Sequence, residues 1–556
     1  MKKASRISAA LIAMAMLLSS LAGCGSKTEA EPTESAPAGE SSAASEATPE
    51  GEAEPAAEGI TETPLPISAE KIELSFWWPY AEDLAELKDP NDGEFYQALE
   101  EKTNVHINWI IPAEGSDTDA YNLLFASDDM PDIVMQLLSR NQLYRGGQDK
   151  AIDDGFFADL NDYTQYMPNY MGFLDKNPSL KKDVVTDSGK RYGMFQLFDR
   201  VCITESGLAV RQDFLDKLGL ERPVTYDDWH EMLAGFKSLG CQAPLYIQNT
   251  GIPQFGELSA GFGVAPEFFQ VDGTVKYGPV EAGYKDYVTL MNQWYSEGLI
   301  DPDFMARTGT FTTIDNEMMF NDNIGSCVTW TTRCDKNYVE RGAKNEDLRL
   351  VGVAPPVQNA GDTTHIRSDD FQTGSIYSFS AKSEHLIEAI EWLDYHYNYD
   401  VALDANYGLD DGRSFNMVDG KRILSYDFRY SNPEGVSPTA FFIKYAVKDA
   451  PLKIPDYQTD IFLPLQKESM DAWCSQPDDW MMPINITMTS EENTTYSSLM
   501  ADIKTFVDEN TVSFISGTKS LDEYDAFVEQ IKSMGIDDAI AIQQAALDRY
   551  NNRPGE

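Results

Sequence analysis

Ile72-Glu73-Leu74-Ser75-Phe76-Trp77-Trp78-Pro79-Tyr80 decides the fold. Apolar and polar residues alternate from Ile72 to Phe76, the period-two pattern of a strand, and the run ends in a cluster of rings around Pro79. A helix is then expected from near Asp92, a good N-cap, with Phe95 and Leu99 on one face and Asn104 closing it. Val105 to Ile111 reads as a second strand and Tyr121 to Phe125 as helical. Pro131-Asp132 then introduces Ile133-Val134-Met135, the continuous apolar run of a strand buried on both sheet faces. Strand, helix, strand, helix, strand within about seventy residues predicts βαβ units and a parallel sheet.

The same alternation resumes downstream. Ile203 to Arg211 reads as extended, followed by a helix from Gln212 to Leu218 that Gly219 closes. Gly325 to Trp330 and Leu348 to Ala354 are strands, the second stopped by Pro355-Pro356. Gly374 to Ser380 leads into a helix whose Leu386, Ile390, Leu393 and Tyr397 form one stripe. Tyr524, Phe527, Val528 and Ile531 mark a helix that Gly535 stops, and a last helix runs from Asp537 to Tyr550. The expectation is two α/β lobes between which the chain crosses more than once. In open α/β sheets ligands sit beyond the carboxyl ends of strands, and a cleft between lobes offers two such edges.

Upstream of the first strand the chain changes character. Lys2, Lys3 and Arg6 precede an apolar run from Ile7 to Leu18, and Leu21-Ala22-Gly23-Cys24 follows, the form of a lipoprotein signal peptide over 1–23. Cys24 would become the mature N-terminus and carry the lipid; two acyl chains anchor a protein lastingly where one does not. An ordinary secretory peptide is the alternative, and either one places the body outside the cytoplasm. Residues 24–69 are rich in Glu, Ala, Pro, Ser and Thr and too poor in large apolar residues to form a core, so they read as a tether. In a flexible regime its root-mean-square reach is roughly 35 Å.

The formal net charge is −48. Nucleic acid is therefore a poor partner, because phosphate binding needs clustered Lys and Arg, and acidic polysaccharides are disfavoured for the same reason. Cys202, Cys241, Cys327, Cys334 and Cys474 do not make a disulfide scaffold, although Cys327 and Cys334 could pair; buried free thiols are the alternative. The five histidines are scattered and show no metal spacing, so neither a metal nor a cofactor is expected.

Leu124-Phe125-Ala126-Ser127-Asp128-Asp129-Met130-Pro131-Asp132-Ile133-Val134, Gly189-Lys190-Arg191-Tyr192-Gly193, Val210 to Leu220 with Pro223-Val224-Thr225, and the ending from Phe514 through Ala546-Leu547-Asp548-Arg549-Tyr550 carry a resemblance. Together they resemble the extracellular solute-binding proteins of family 1, in the large lipoprotein branch that serves carbohydrate ABC importers. The resemblance covers residues 70 to 553 and departs from the family pattern at Asp128-Asp129, where a glycine is usual before the second acid. It implies a monomer with two lobes joined by hinge strands, closing over an oligosaccharide or sugar derivative and presenting it to ABC transporter permease subunits at the outer face of the cell membrane. The lobes are expected at 70–204 with about 373–480, and at 205–372 with about 481–556. Some relatives bind a structural calcium. Here Asp89, Asn91 and Glu100 take the first, third and twelfth positions of a calcium loop, but Glu94 replaces the glycine at the sixth, and helix capping accounts for them better.

A sugar offers apolar C–H faces and a ring of hydroxyls, so its binder needs flat rings plus amides, carboxylates or arginine. Trp77, Trp78 and Tyr80 sit at a strand end; Phe76 and Trp78 share the face of Ile72 and Leu74 while Trp77 points the other way, so one tryptophan is expected in the core. Gln136 ends the buried strand, facing a cleft or simply satisfied at a sheet edge. Trp330 ends its strand ahead of Thr331, Thr332 and Arg333, a ring with donors beside it. Asp369, Asp370 and Phe371 precede a crossing, with a solvated acidic loop as the duller account, and Tyr407 precedes Gly408 after the helical stripe. Trp229, Trp294 and Trp392 read as core. No catalytic set is expected: adjacent acids such as Asp153-Asp154 point apart and do not make a glycosidase pair. A peptide-binding or adhesive surface lipoprotein is the alternative function, a tethered glycoside hydrolase the more distant one.

Overall fold

β1 (Ile72–Trp77) forms where the alternation predicts, and it pairs in parallel with both β2 (Val105–Ile110) and β3 (Ile133–Gln136). The computed structural model describes residues 62–80, 89–113, 115–126, 129–137, 142, 144, 146–199, 204–248, 256–309, 313–367, 373–425, 443–454, 459, 460 and 462–554. Cys24, Cys202 and Asp369-Asp370-Phe371 lie outside the described residues.

The helix Glu94–Thr103 starts two residues later than expected. Asp92 sits in a 3-10 turn, Pro90–Asp92, which Asp89 caps by accepting from Asn91 N; Asn104 closes the helix in the left-handed region at φ 62°. The other two acids and amides of the would-be calcium loop have protein partners: Asn91 takes the Trp109 indole N–H at 3.0 Å and donates to Ile107 O, and Glu100 pairs with Lys71 and His106. Asp132 joins strand to loop, accepting from Ser75 N and Oγ at 2.7 Å and from Ser383 Oγ at 2.6 Å.

β4 (Met194–Phe198), β11 (Thr373–Phe379) and β14 (Leu452–Lys453) complete a six-stranded sheet in the order β14-β4-β11-β3-β1-β2. The second sheet has the order β10-β5-β9-β6, from β5 (Ser206–Arg211), β6 (Ala243–Leu245), β9 (Ile324–Trp330) and β10 (Leu350–Gly352). Two hairpins, β7 (Phe268–Val271) with β8 (Thr274–Tyr277) and β12 (Phe415–Val418) with β13 (Lys421–Leu424), stand apart. The parallel pairing expected of the first three strands holds, while β11 is antiparallel to β3 and β4, and β5 to β9 and β10. A local βαβ crossover fixes parallel pairing; β11 instead joins β4, and β9 joins β5, after long excursions, which leave direction free.

Residues Glu58–Glu556 form one compact unit, and within it each sheet carries its own core. The first gathers Leu74, Phe76, Ile133, Met135, Leu197, Ile376 and Trp392; the second gathers Leu208, Val210, Trp229, Leu245, Trp294, Val328 and Phe527. Trp229, Trp294 and Trp392 are buried, as helical tryptophans on an apolar stripe should be. The chain passes between sheets after β4, before β11 and after β14. β3, β4 and β14 run parallel and β11 opposes them, so all three passages meet the first sheet at the edge where β1 and β3 end. The helix Pro464–Trp473 already packs with the second sheet: Trp473 Nε1 donates to Leu208 O at 2.8 Å, and a Cβ on Gly207 would stand 2.6 Å from the indole. The last passage therefore falls before 464 rather than near 480.

At the opposite edge of the first sheet the leader docks ahead of β1. Thr63 Oγ1 donates to Asp394 Oδ2 at 2.9 Å, Ile67 N to Thr103 O at 3.0 Å, and Asn104 Nδ2 to Ser68 O at 3.1 Å. Among the described residues no helix is long and apolar enough to cross a membrane. Cys241, Cys327 and Cys334 are free and buried, so the possible Cys327–Cys334 pair is not formed; Cys474 is disulfide-bonded to a partner outside the described residues.

Candidate functional site

The end of β1 sends its rings in two directions, as strand alternation requires. Trp78 and Tyr80 join the first core, ring centroids 5.2 Å apart and edge-on, with Trp109 6.0 Å from Trp78. Trp77 enters a separate cluster on the other face with Tyr121, Val134, Ala151 and Phe157, where its indole N–H has no partner. The sequence expected one tryptophan in the core; the structure buries both, at 3% and 6% exposure.

Beside Tyr80 stand two residues the sequence did not single out. Lys448 Nζ lies 4.0 Å from the Tyr80 ring centroid, and the Asp449 carboxylate is bonded to its hydroxyl. Burial, then Asp449, pushes the Tyr80 phenol far above its ordinary value. Burial would raise the Asp449 carboxyl too, but Lys453 and Lys448 outweigh it and hold the group below its usual range. Behind these rings lies a cavity of about 20 Å³, lined by Phe76, Trp78, Trp109, Trp392 and His396 among others. That is room for one water and not for a sugar.

Two expected ligand contacts are core. Gln136 is fully buried with both ends of its amide engaged: Tyr121 OH donates to Oε1 at 3.0 Å, and Nε2 donates to Ser378 Oγ at 2.6 Å. The amide faces the neighbouring strand β11, whose place beside β3 no local pattern in the sequence encodes. Tyr407 is 2% exposed and sits edge-on to Phe415 at 6.5 Å, in the first core. Its helix, Tyr399–Tyr407, turns that residue inward against the β12–β13 hairpin.

The second sheet presents its end differently. Trp330, last in β9, is 38% exposed, while the chain's other tryptophans, all within the described residues, are buried or half-buried. The following turn is pinned to the start of β5: Thr331 N and Oγ1 both donate to Glu205 O, at 2.7 and 2.9 Å. Arg333 is half-buried at the end of this turn. Just beyond β6, which runs parallel to β9, Gln248 is 3% exposed; its Nε2 donates to Thr313 O while its Oε1 has no partner. An exposed ring held by a fixed turn can stack on an apolar face. Among the described residues no group of three or more His, Cys, Asp or Glu is placed to hold a metal ion.

No family model matches the chain. It is 25% identical over 495 residues, 83% of this chain and 88% of the relative, to the fructooligosaccharide ABC transporter substrate-binding protein FusA of Streptococcus pneumoniae. An extracellular solute-binding protein from Bifidobacterium longum subsp. infantis matches with a TM-score of 0.69 at 17% identity, over 86% of this chain and 98% of that one. The fold is that of the extracellular solute-binding proteins. The alginate-binding protein AlgQ2 shares it, with a TM-score of 0.64 at 21% identity over 88% of this chain and all of that one. The solute-binding resemblance read from the sequence motifs agrees with these relatives, and in this fold Trp330 and its turn occupy a strand's carboxyl end.

Proposed function

We propose that this protein captures an oligosaccharide between two α/β lobes and delivers it, chemically unchanged, to the permease of an ABC importer. The exposed Trp330 carries the reading. An indole open to solvent at the end of an otherwise buried strand leaves apolar surface in water, which a sugar face can cover. Arg333, half-buried at the end of the turn, supplies hydrogen bonds on this side; Trp78 and Tyr80, with Lys448, stand at the strand end of the first sheet, and Asp370 belongs to the same proposal. FusA, named for fructooligosaccharides, supports the substrate class. AlgQ2 is named for alginate, an acidic sugar; here the net charge of −48 opposes a polyanion, so a neutral oligosaccharide is the ligand.

The lobes are 70–204 with about 373–463, and 205–372 with 464–556. The lipid is carried by Cys24, and residues 24–61 tether the body at the outer face of the membrane, the chain from Thr63 being docked on the first lobe. Delivery without chemistry fits a relative that is itself a transport protein. Titration calorimetry of the lipid-free protein against neutral oligosaccharides, acidic oligosaccharides and peptides tests this: neutral sugars should bind and be recovered intact. Binding of peptides alone, or hydrolysis of the sugar, would overturn it.

A further inference from the structure

Two motifs singled out in the sequence, around Gly189 and around Arg549, meet in space although 362 residues separate Asp187 from Arg549. The last helix, Ile536–Asn551, belongs to the second core through Ile536 and Ala539, and Leu547 packs on Val275 of β8. Its final turn reaches the first core instead. Arg549 Nε donates to Asp187 Oδ2 at 2.9 Å; Arg553 Nε donates to Asp187 Oδ1 at 2.8 Å, with Nη2 2.7 Å from the same oxygen. Tyr550 OH donates to Asp183 Oδ1, and Lys182 Nζ lies 4.7 Å from the Tyr550 ring centroid.

Both sides of this contact are fixed to their own core. Leu180 and Val184 are in the first core, and the hydroxyls of Thr186 and Ser188 both donate to Asp149 Oδ1, at 2.5 and 2.6 Å. On the other side Arg549 grips Glu492 with both terminal nitrogens, at 2.9 and 2.6 Å, and donates to Thr487 O at 2.9 Å. The Arg553 side chain is 1% exposed, so losing Asp187 would strand a buried cation. Gly189 sits at φ 83°, with Pro554 packed where a Cβ would stand, 2.8 Å from its Cγ.

This cluster does not lie with the chain passages. β4 runs parallel to β3, so the segment leading into β4 approaches the edge opposite Trp78 and Gln136, while all three passages meet the first sheet at the edge bearing those residues. Two bodies joined at one edge can pivot; a second attachment elsewhere removes that freedom.

We propose that the last turn of the C-terminal helix and the residues just after it form a noncovalent clasp, Arg549 and Arg553 on Asp187 with Tyr550 on Asp183, that holds the orientation of the two cores and must loosen before they swing. The proposal concerns motion of the unliganded protein, so its test uses no ligand and its failure leaves the proposed function standing. Spin labels at Leu123→Cys and Leu239→Cys, on exposed positions of the first and second cores, report the distance between them by pulsed electron resonance on the full body with its tether. One narrow distribution is expected with the clasp intact. Asp187→Asn should widen it or split it in two while near-ultraviolet circular dichroism stays native. If Asp187→Asn does not fold, Arg549→Gln is the variant to read, since that side chain is already 29% exposed. A folded variant of either kind with the parent's distribution overturns the clasp.

Discussion

Trp330→Ala separates a binding ring from a structural one. A tryptophan carries up to roughly 250 Å² of surface. At 38% exposure about 95 Å² of it stands open to water. A sugar ring laid on the indole would cover roughly half of that and bury a similar area of its own, about 100 Å² together, worth about 2.5 kcal/mol at 25 cal/mol/Å². Only part of a sugar face is apolar, so the expected loss is about 1–2 kcal/mol, or roughly 5- to 30-fold in Kd. Stability should hardly move, because substitutions at open positions stay within about 0.5 kcal/mol. The assay is calorimetric titration of parent and variant with a neutral oligosaccharide, alongside thermal melting of each. A variant that binds within twofold of the parent, or that loses binding only because it melts early, refutes the reasoning.

Trp77→Ala is the mirror case: buried against Tyr121 and Phe157, it should lower stability by about 3–5 kcal/mol in denaturant titration. His396, buried with Nδ1 donating to the Trp392 carbonyl, has its pKa pushed down to about 4 by burial. The unfolded chain therefore takes up its proton first, and stability present above pH 6.5 is lost as the pH falls toward 4, by about 3 kcal/mol; His396→Gln should flatten that slope in denaturation curves at several pH values. Glu391 has the opposite sign: burial, then Glu388 and Asp394, raise its carboxyl to about 7, so its contribution is full below pH 4.5 and fades as the pH rises through 7. Glu391→Gln should accordingly stabilise the protein at pH 8 and change little at pH 4.5, by the same measurement. Cys327 and Cys334 are fully buried with thiols raised by that burial, so a thiol reagent should leave both unmodified in the native protein and label both after unfolding, as peptide mass mapping would read.

Periodicity located the elements of the fold well because it reports burial directly. The two faces of β1 could be told apart before any coordinates: Phe76 and Trp78 fell to the main core and Trp77 to the other side. Strand direction was less legible, since β11 meets β4 and β9 meets β5 only after long excursions whose return path no local pattern encodes. Exposure at a strand end was legible on the second sheet and not on the first. Trp330 is exposed as its position suggested, because a ring at the end of an apolar strand has nothing left to pack against. Gln136 and Tyr407 were misjudged because their partners, Ser378 and Phe415, come from segments whose placement beside them is a tertiary fact. Lys448 and Asp449 carried no pattern at all; only the pairing of β14 with β4 brings their segment beside Tyr80.

The docking of Thr63, Ile67 and Ser68 ahead of β1 has a mechanical meaning. Drag on a body moored by its leader would enter the molecule there, through the Asp394 carboxylate and the end of the Glu94–Thr103 helix, and pass into the first sheet lengthwise. Trp330 belongs to another sheet, off that line of pull, so under the proposed tethering a tug on the mooring would not load the strand that carries it.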